Sequence, residues 1–562
     1  MSGTAAPEPP PSPSPTPRHW LGLIAVSLGV ALIVVDITIV NVILAPIIED
    51  LSIDSIEAQW IQESYAIVFA ALVLLTGRLS DLHGARKIFL IGLAVFGVTS
   101  LLAAAAPSGG LLILARFLQG IGGAMILPAS LALVNATFSG KARSQAFAVW
   151  GSTIGAAAAV GPLLGGRLAD IHWRWAFGIN IPLVALIVVG TLLFLPASPR
   201  VRGRVDAAGA VLSAIGLGLL AFGLIEGRNH GWLATTAPLD IGGLSWRSGP
   251  SPVLVALILS ALALYAFWRR QAALSRRGEE PLMDVRLFSI GSFRNGNLVT
   301  LFVGLGEFGI IAVLPLWLQF ALDYSALQAG LALLALAVGS FCASGGSFAM
   351  AATVSPLTQV RLGLLLEAAG LAMLGLIAAA DSAWWLIALA LFVYGVGVGF
   401  ATAQVTNIVL ADVPAHSAGQ GSGIQSAARE LGSALGIAVL TTLFFSTLAA
   451  TLADRLGGSA GLPEQDAERI SQTVTESAGS VIPHLAEDPS TAPVADAARE
   501  AMTSALELSS HICAGLLLLA LAATLFVRPR PDSAAAPAGP EAPAGAEAPA
   551  GAGAGAGAGH DG

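Results

Sequence analysis

Four carboxylic acids and one arginine sit where water should be scarce. Asp36, Glu63, Glu307, Glu367 and Arg116 all fall within long apolar runs. A charged side chain in such a run is costly, and by default it marks a partner, a proton relay or a substrate path. The chemistry such groups can do is proton exchange, because burial disfavours a carboxylate and a nearby cation favours it. Asp36 lies 16 residues into an apolar run that opens near residue 20, about 24 Å along a helix at roughly 1.5 Å per residue. Counted from the other side of a core of about 30 Å, Arg116 reaches a similar depth. The spacing therefore predicts an Asp36–Arg116 pair. The alternatives are Asp36 packing on Thr38 and Asn41, and Arg116 snorkelling to the interface. Glu307, ten residues into its run, falls near the bilayer centre, whereas Glu367 and Glu63 lie nearer span ends. Arg429 and its neighbour Glu430 read as a local structural pair. Tyr65, Trp150, Asn180, Gln319 and Gln404 offer stacking or hydrogen bonds to an amphipathic ligand.

These groups need long helices to hold them. The 562 residues are 55% hydrophobic and 11% charged, against about 25% charged in soluble domains. Runs of about 20 apolar residues, each able to cross a bilayer as a helix, recur over the chain. They predict fourteen spans, at 20–45, 58–77, 87–106, 111–134, 144–167, 175–196, 207–226, 252–270, 296–320, 326–350, 360–380, 384–411, 420–448 and 509–528. With the N-terminus inside, 18 of the 27 Lys and Arg residues fall in inner segments and 7 in outer ones. That bias predicts both termini on the cytoplasmic side of a bacterial inner membrane. Trp60, Trp173, Trp175, Trp317, Trp384 and Trp385 fall at outer span ends, with Trp20 and Trp268 at inner ends, as expected of an interfacial belt. Residues 1–17 and 531–562 read as a disordered leader and tail, and no cleavable signal is expected. The stretch 449–508 reads first as a solvated outer loop, or else as an ordered lid with short amphipathic helices near 464–474 and 495–506. Cys342 and Cys513 lie inside apolar runs, so neither a disulfide, a metal site nor a cofactor is expected. Nucleic acid is not an expected partner; a lipid bilayer is.

Several motifs stand in order along these spans. Gly77, Asp81, Gly84, Arg86 and Lys87 occupy the segment between spans 2 and 3. They resemble the G-x-L-x-D-x-x-G-R-[RK] signature of the major facilitator superfamily, with Leu82 and Ala85 in places that are usually basic. The glycines permit a tight turn, and the carboxylate is expected to face basic groups across a sliding interface. Arg116, Gln119, Gly120, Gly122, Gly123 and Ala124 resemble the family's R-x-x-Q-G-x-G-A run. Gly151, Gly155, Gly161, Pro162, Gly165 and Gly166 resemble its antiporter signature, in which proline and glycine bend span 5. Asp36, Thr38, Ile39, Val40, Asn41 and Val42, together with Trp173, Arg174, Trp175, Phe177, Asn180 and Pro182, resemble the fourteen-helix drug:proton antiporter branch (EmrB/QacA-like). Departures are Ala45 with Pro46 one place late, Ala335 where relatives carry proline, and a second loop signature decayed to 351–361. The C-terminal half is therefore expected to lack a matching latch.

The resemblance implies an all-α integral membrane protein of the major facilitator fold, two six-helix bundles plus two inserted helices. The divisions are 18–200 for the N-terminal bundle, 201–290 for the insertion with its linker, and 291–530 for the C-terminal bundle. It also implies a monomeric, proton-coupled exporter of drugs or other amphipathic small molecules, working by alternating access, with Asp36, Arg116, Glu307, Glu367 and Glu63 as the coupling or substrate groups. A transporter of the same fold with another cargo, or a polytopic membrane enzyme or sensor, remains open at this point. No nucleotide loop or nucleophile–base set favours the latter.

Overall fold

The computed structural model describes residues 16–526 apart from 54, 170, 199, 242–243, 380–381 and 459–462. Most of the expected leader and all of the tail lie outside the described residues, as do the side chains of Asn41 and Pro162. The N-terminal half is built from α1 (Pro17–Leu51), α2 (Ser55–His83), α3 (Ala85–Ala104), α4 (Gly109–Thr137), α5 (Gly140–Ala169), α6 (Arg174–Gly178) and α7 (Asn180–Phe194). Two further helices follow, α8 (Ala207–His230) and α9 (Pro252–Arg277), joined by a loop with a two-stranded ribbon, β1 (Leu239–Ile241) and β2 (Leu244–Trp246). The C-terminal half holds α10 (Gly291–Phe320), α11 (Ala326–Met350), α12 (Pro356–Ile377), α13 (Trp384–Ala411), α14 (Ala418–Gly458), α15 (Glu464–Glu476), α16 (Ile482–Glu487) and α17 (Ala492–Ala523).

Among the described residues, thirteen helices are long and apolar enough to cross a membrane. The 30-residue α5, several of whose side chains lie outside the described residues, is not in that count. It nevertheless packs between α1 on one side and α11 and α13 on the other. Within the N-terminal half α1, α4, α5 and α7 pack together, as do α2, α3 and α4. Within the C-terminal half α10, α13, α14 and α17 form the centre. The inserted pair α8 and α9 leans on α2 and α14 through α8. Close approach of α5 depends on its motif glycines. A Cβ at Gly151 would stand 2.8 Å from the Cβ of Ala403, and one at Gly165 would stand 3.0 Å from Ile39. Gly155 and Gly161 face Ser340 and Thr38 just as closely, while Gly166 faces open space.

Two expectations need correction. For 449–508 the solvated-loop reading gives way to its alternative, an ordered segment with short helices: α14 runs on to Gly458, α15 covers the expected 464–474 and α17 begins at Ala492. Ala467, Val474, Ile482, Ala495, Ala498 and Met502 are buried in the C-terminal core, so α15 and α16 are held by apolar packing. Trp173 and Trp317 do not join a membrane-facing belt. Both are buried, their indole N–H groups donating to Asp50 at 2.9 Å and Thr503 at 3.0 Å. Trp175, Trp268, Trp384 and Trp385 are exposed.

Candidate functional site

The tightest polar cluster surrounds Asp36, whose side chain is fully buried midway along α1. Arg116 on α4 donates from Nη1 to its Oδ2 at 2.5 Å. Gln119, one turn further along α4, and Asn180 at the start of α7 each donate to Oδ1 at 2.9 Å. Ser100 on α3 ties these two amides together, at 3.0 and 3.2 Å. The guanidinium is itself positioned by the Ile61 carbonyl, 3.1 Å from Nε, and lies 4.7 Å above the Tyr65 ring. The expected Asp36–Arg116 pair is therefore formed. Thr38 plays no part in it, because its hydroxyl donates to the Val34 carbonyl at 2.9 Å. Glu63 is buried on α2 between Ile61 and Tyr65, the two residues that seat Arg116.

The C-terminal half has a counterpart. Arg429 on α14 donates to Glu307 Oε2 on α10 at 3.0 Å, with both side chains buried. Arg429 thus reaches across to α10, while its charge still acts on the neighbouring Glu430. Consecutive residues on a helix point about 100° apart, so Arg429 faces α10 while Glu430 faces Ala70 of α2 and Leu217 and Ala221 of α8. Glu367 on α12 is fully buried, and neither carboxyl oxygen has a hydrogen-bond partner among the described residues.

A third cluster joins the two halves. Asp81, at the end of α2, accepts the backbone N–H groups of Gly419 at 2.5 Å and Gln420 at 2.8 Å. Those amides open α14, so the carboxylate meets the positive end of a helix dipole. The expected basic partners are elsewhere. Arg78 pairs with Glu280 at 3.3 Å, Arg86 donates to the Leu192 carbonyl at 2.9 Å, and Lys87 is exposed. Gly77 makes the approach possible, since a Cβ there would stand 2.6 Å from the Gly419 carbonyl. Gly84, at φ +88°, turns the chain from α2 into α3. Beside this latch, α5 meets α11 and α13 through hydroxyl and amide groups and one arginine. Ser144 donates to Gln404 at 2.9 Å, and Gln404 donates to Ser347 at 2.7 Å. Arg143 donates to Asn407 at 3.0 Å. No carboxylate enters these bonds.

A sequence profile of the Major Facilitator Superfamily matches residues 26–437 of this chain. The chain belongs to that superfamily. As a member it is a multi-pass membrane transporter. It is 35% identical over 447 residues to the puromycin resistance protein pur8 of Streptomyces alboniger, covering 78% of this chain and 84% of that one. It is 33% identical over 511 residues to the multidrug efflux pump LfrA of Mycolicibacterium smegmatis, covering 90% and 95%. Among solved structures, the human organic anion transporter MFSD10 (TETRAN) superposes with a TM-score of 0.56 at 16% identity, over 91% of this chain and all of that one. The proton:xylose symporter XylE superposes with a TM-score of 0.54 at 12% identity, over 83% and 95%. At such identities these two show the fold.

Several of the polar residues read as possible ligand contacts bond to protein groups in this structure. Asn180 and Tyr65 hold the Asp36–Arg116 pair, and Gln404 joins the halves. Trp150 donates to Ser130 at 3.2 Å, and Gln319 to the Pro315 carbonyl of its own helix at 3.2 Å. Gln119 and Ser100 are the functional candidates that residue type alone does not reveal. Gln119 is legible from its place one turn after Arg116, whereas Ser100 has no such signal.

Proposed function

We propose that this transporter is a proton-coupled antiporter of the fourteen-helix drug-export branch. It moves drug-like or antibiotic small molecules out across the cytoplasmic membrane, with both termini inside. The observation that carries this reading is the buried carboxylate–arginine pair in each half, Asp36–Arg116 and Glu307–Arg429. Such a pair can be opened by one proton on the carboxylate, which frees the arginine and weakens the contact between helices. In this reading protons arriving from outside neutralise Asp36 and Glu307, and a cationic or amphipathic substrate meets the same groups from inside. Glu63 and Glu367 are further acidic candidates. With the Asp81 end facing the cytoplasm, the contacts of Asp81, Arg143 and Gln404 form the closed inner gate. Alternating access then consists of breaking them while the opposite end closes. The named relatives from Streptomyces and Mycolicibacterium support export of a toxic compound, and the placement of basic residues supports the orientation.

The test is dye or antibiotic transport by vesicles carrying the purified chain. Uphill export should follow an imposed proton gradient, stop on adding a protonophore, and be lost in Asp36→Asn. Uphill export by Asp36→Asn at the wild-type rate refutes the coupling role of that residue, and export indifferent to the gradient refutes proton coupling altogether.

A further inference from the structure

We propose that the segment between α9 and α10 is a third member of the inner gate, and that Glu280 is its positioning residue, holding α2 against α14 through Arg78. The inference rests on the gate reading above and gives the inserted helix pair a share in closing that gate.

A closed ring of bonds carries it. Asp81 on α2 accepts the backbone N–H groups of Gly419 and Gln420 on α14. The side chain of the same Gln420 accepts the backbone N–H of Asp284 at 2.9 Å. Four residues back along the chain, Glu280 accepts Nη2 of Arg78 at 3.3 Å, and Arg78 lies on α2 one turn before Asp81. The path thus runs from α2 to α14, on to the 280–284 segment, and back to α2. Parting α2 from α14 must then break the Gln420–Asp284 bond or the Glu280–Arg78 bond as well, because the segment cannot follow both helices.

The segment is anchored on each side. Leu282 and Met283 are buried in one apolar cluster with Leu74 of α2 and Ile424 of α14. Their backbone N–H groups donate to Gln271 Oε1 on α9, at 2.8 and 3.2 Å. Glu280 also accepts the backbone N–H of Arg204 at 2.5 Å, and a side chain at Gly203 would collide with its carboxylate. That stretch is tied to the N-terminal half, since Val201 donates its N–H to the Asp81 carbonyl at 2.9 Å.

Charge makes the Glu280 tie matter. The Arg78 side chain is buried, and its Nε has no partner among the described residues. A buried arginine that loses its carboxylate is left as an uncompensated charge. Asp81 lies within reach of the Arg78 charge, but its oxygens are taken by the α14 amides. Glu280 meets the guanidinium directly. Without Glu280, Arg78 competes with those amides for Asp81, and the latch loosens.

Pulsed EPR on the full-length protein in lipid nanodiscs tests this. Cys342 and Cys513 are replaced by serine, and spin labels are attached through His83→Cys and His416→Cys. Both positions are exposed, one at the end of α2 and one just ahead of α14. Glu280→Ala should raise the long-distance population about three- to tenfold, a limited shift because this half-exposed carboxylate is screened by solvent. Gln420→Ala keeps the backbone N–H for Asp81 and loses the bond to Asp284, so it should move the distances the same way. In an Arg78→Gln background Glu280→Ala should add little, as coupled neighbours do. The inference is overturned if Glu280→Ala and Gln420→Ala leave the distances as in wild type while Asp81→Asn lengthens them; the gate reading then stands. An undiminished effect of Glu280→Ala in the Arg78→Gln background overturns it too. Distances unmoved by all of these variants, Asp81→Asn included, would overturn the gate reading along with it.

Discussion

Each half of the molecule buries one carboxylate–arginine pair, but their surroundings differ. Asp36 receives Arg116, Gln119 and Asn180, and the arginine is seated on a carbonyl and an aromatic ring. Among the described residues Glu307 receives Arg429 at 3.0 Å, with the Thr402 side chain beside it and Glu367, its carboxyl oxygens unpartnered, close by. In the first site protein dipoles replace the water that a charged pair loses on burial. In the second that replacement is partial. The N-terminal centre is therefore built to keep one geometry, and the C-terminal one is built to yield.

Removing a cation should separate them most. Arg116→Ala leaves Asp36 an uncompensated charge among fixed donors, and loss of one partner of a buried pair costs about 3–5 kcal/mol. Thermal unfolding in detergent should show the largest drop for this variant. Arg429→Ala should cost less, about 1–3 kcal/mol, because Glu307 has fewer committed neighbours and can take up a proton. Equal losses for the two variants would break the contrast.

The gate repeats the contrast on a smaller scale. Asp81 grips two amides of α14 with a charge, whereas Ser144, Gln404 and Ser347 join α5, α11 and α13 with neutral bonds. Asp81→Asn should weaken closure by about 1.5–3 kcal/mol, as charge-assisted bonds do, and Gln404→Leu by about 0.5–1.5 kcal/mol. At about 1.4 kcal/mol per tenfold change in population, thiol cross-linking between the ends of α2 and α14 should report the first change clearly and the second weakly.

An effect comparable with that of Gln404→Leu belongs to Asp206, which caps α8. Burial acts to raise its pKa, but hydrogen bonds from Arg270, Gly209 and Gln271, with the Arg270 charge, together hold it below its ordinary value of 3.8. A depressed carboxylate stabilises the fold fully above its unfolded value and loses that contribution as pH falls through the folded one. Asp206→Ala should cost about 0.5–2 kcal/mol at neutral pH, and the difference from wild type should shrink below pH 3.8. A difference that persists in strong acid would mean that packing, not charge, ties α8 to α9.

Much of this was legible in the chain itself. Depth counting along two helices brings Asp36 level with Arg116, because rise per residue is fixed and both lie in uninterrupted spans. The loop signature marks Asp81 and Gly77 as gate residues, yet it does not disclose their target. That target is a set of backbone amides 338 residues away, and amides carry no side-chain signature. The same blindness hides the partner of Arg429. An adjacent acid invites pairing on paper, whereas helical geometry turns the two side chains apart. The helical cap at 464–487 is legible only as the second of two readings, because short amphipathic helices become stable only through packing, here on α14 and α17.

α14 runs unbroken for 41 residues. Its first turn meets Asp81, a few turns on it carries Arg429, and its far end bonds the cap through the Ala449 carbonyl to Ser471 and α17 through Arg455 to Glu500. Latch, ion pair and cap are therefore mounted on one shaft. Whatever swings the bottom of this rod free must also lever its top, so opening below and shutting above become two ends of a single stroke.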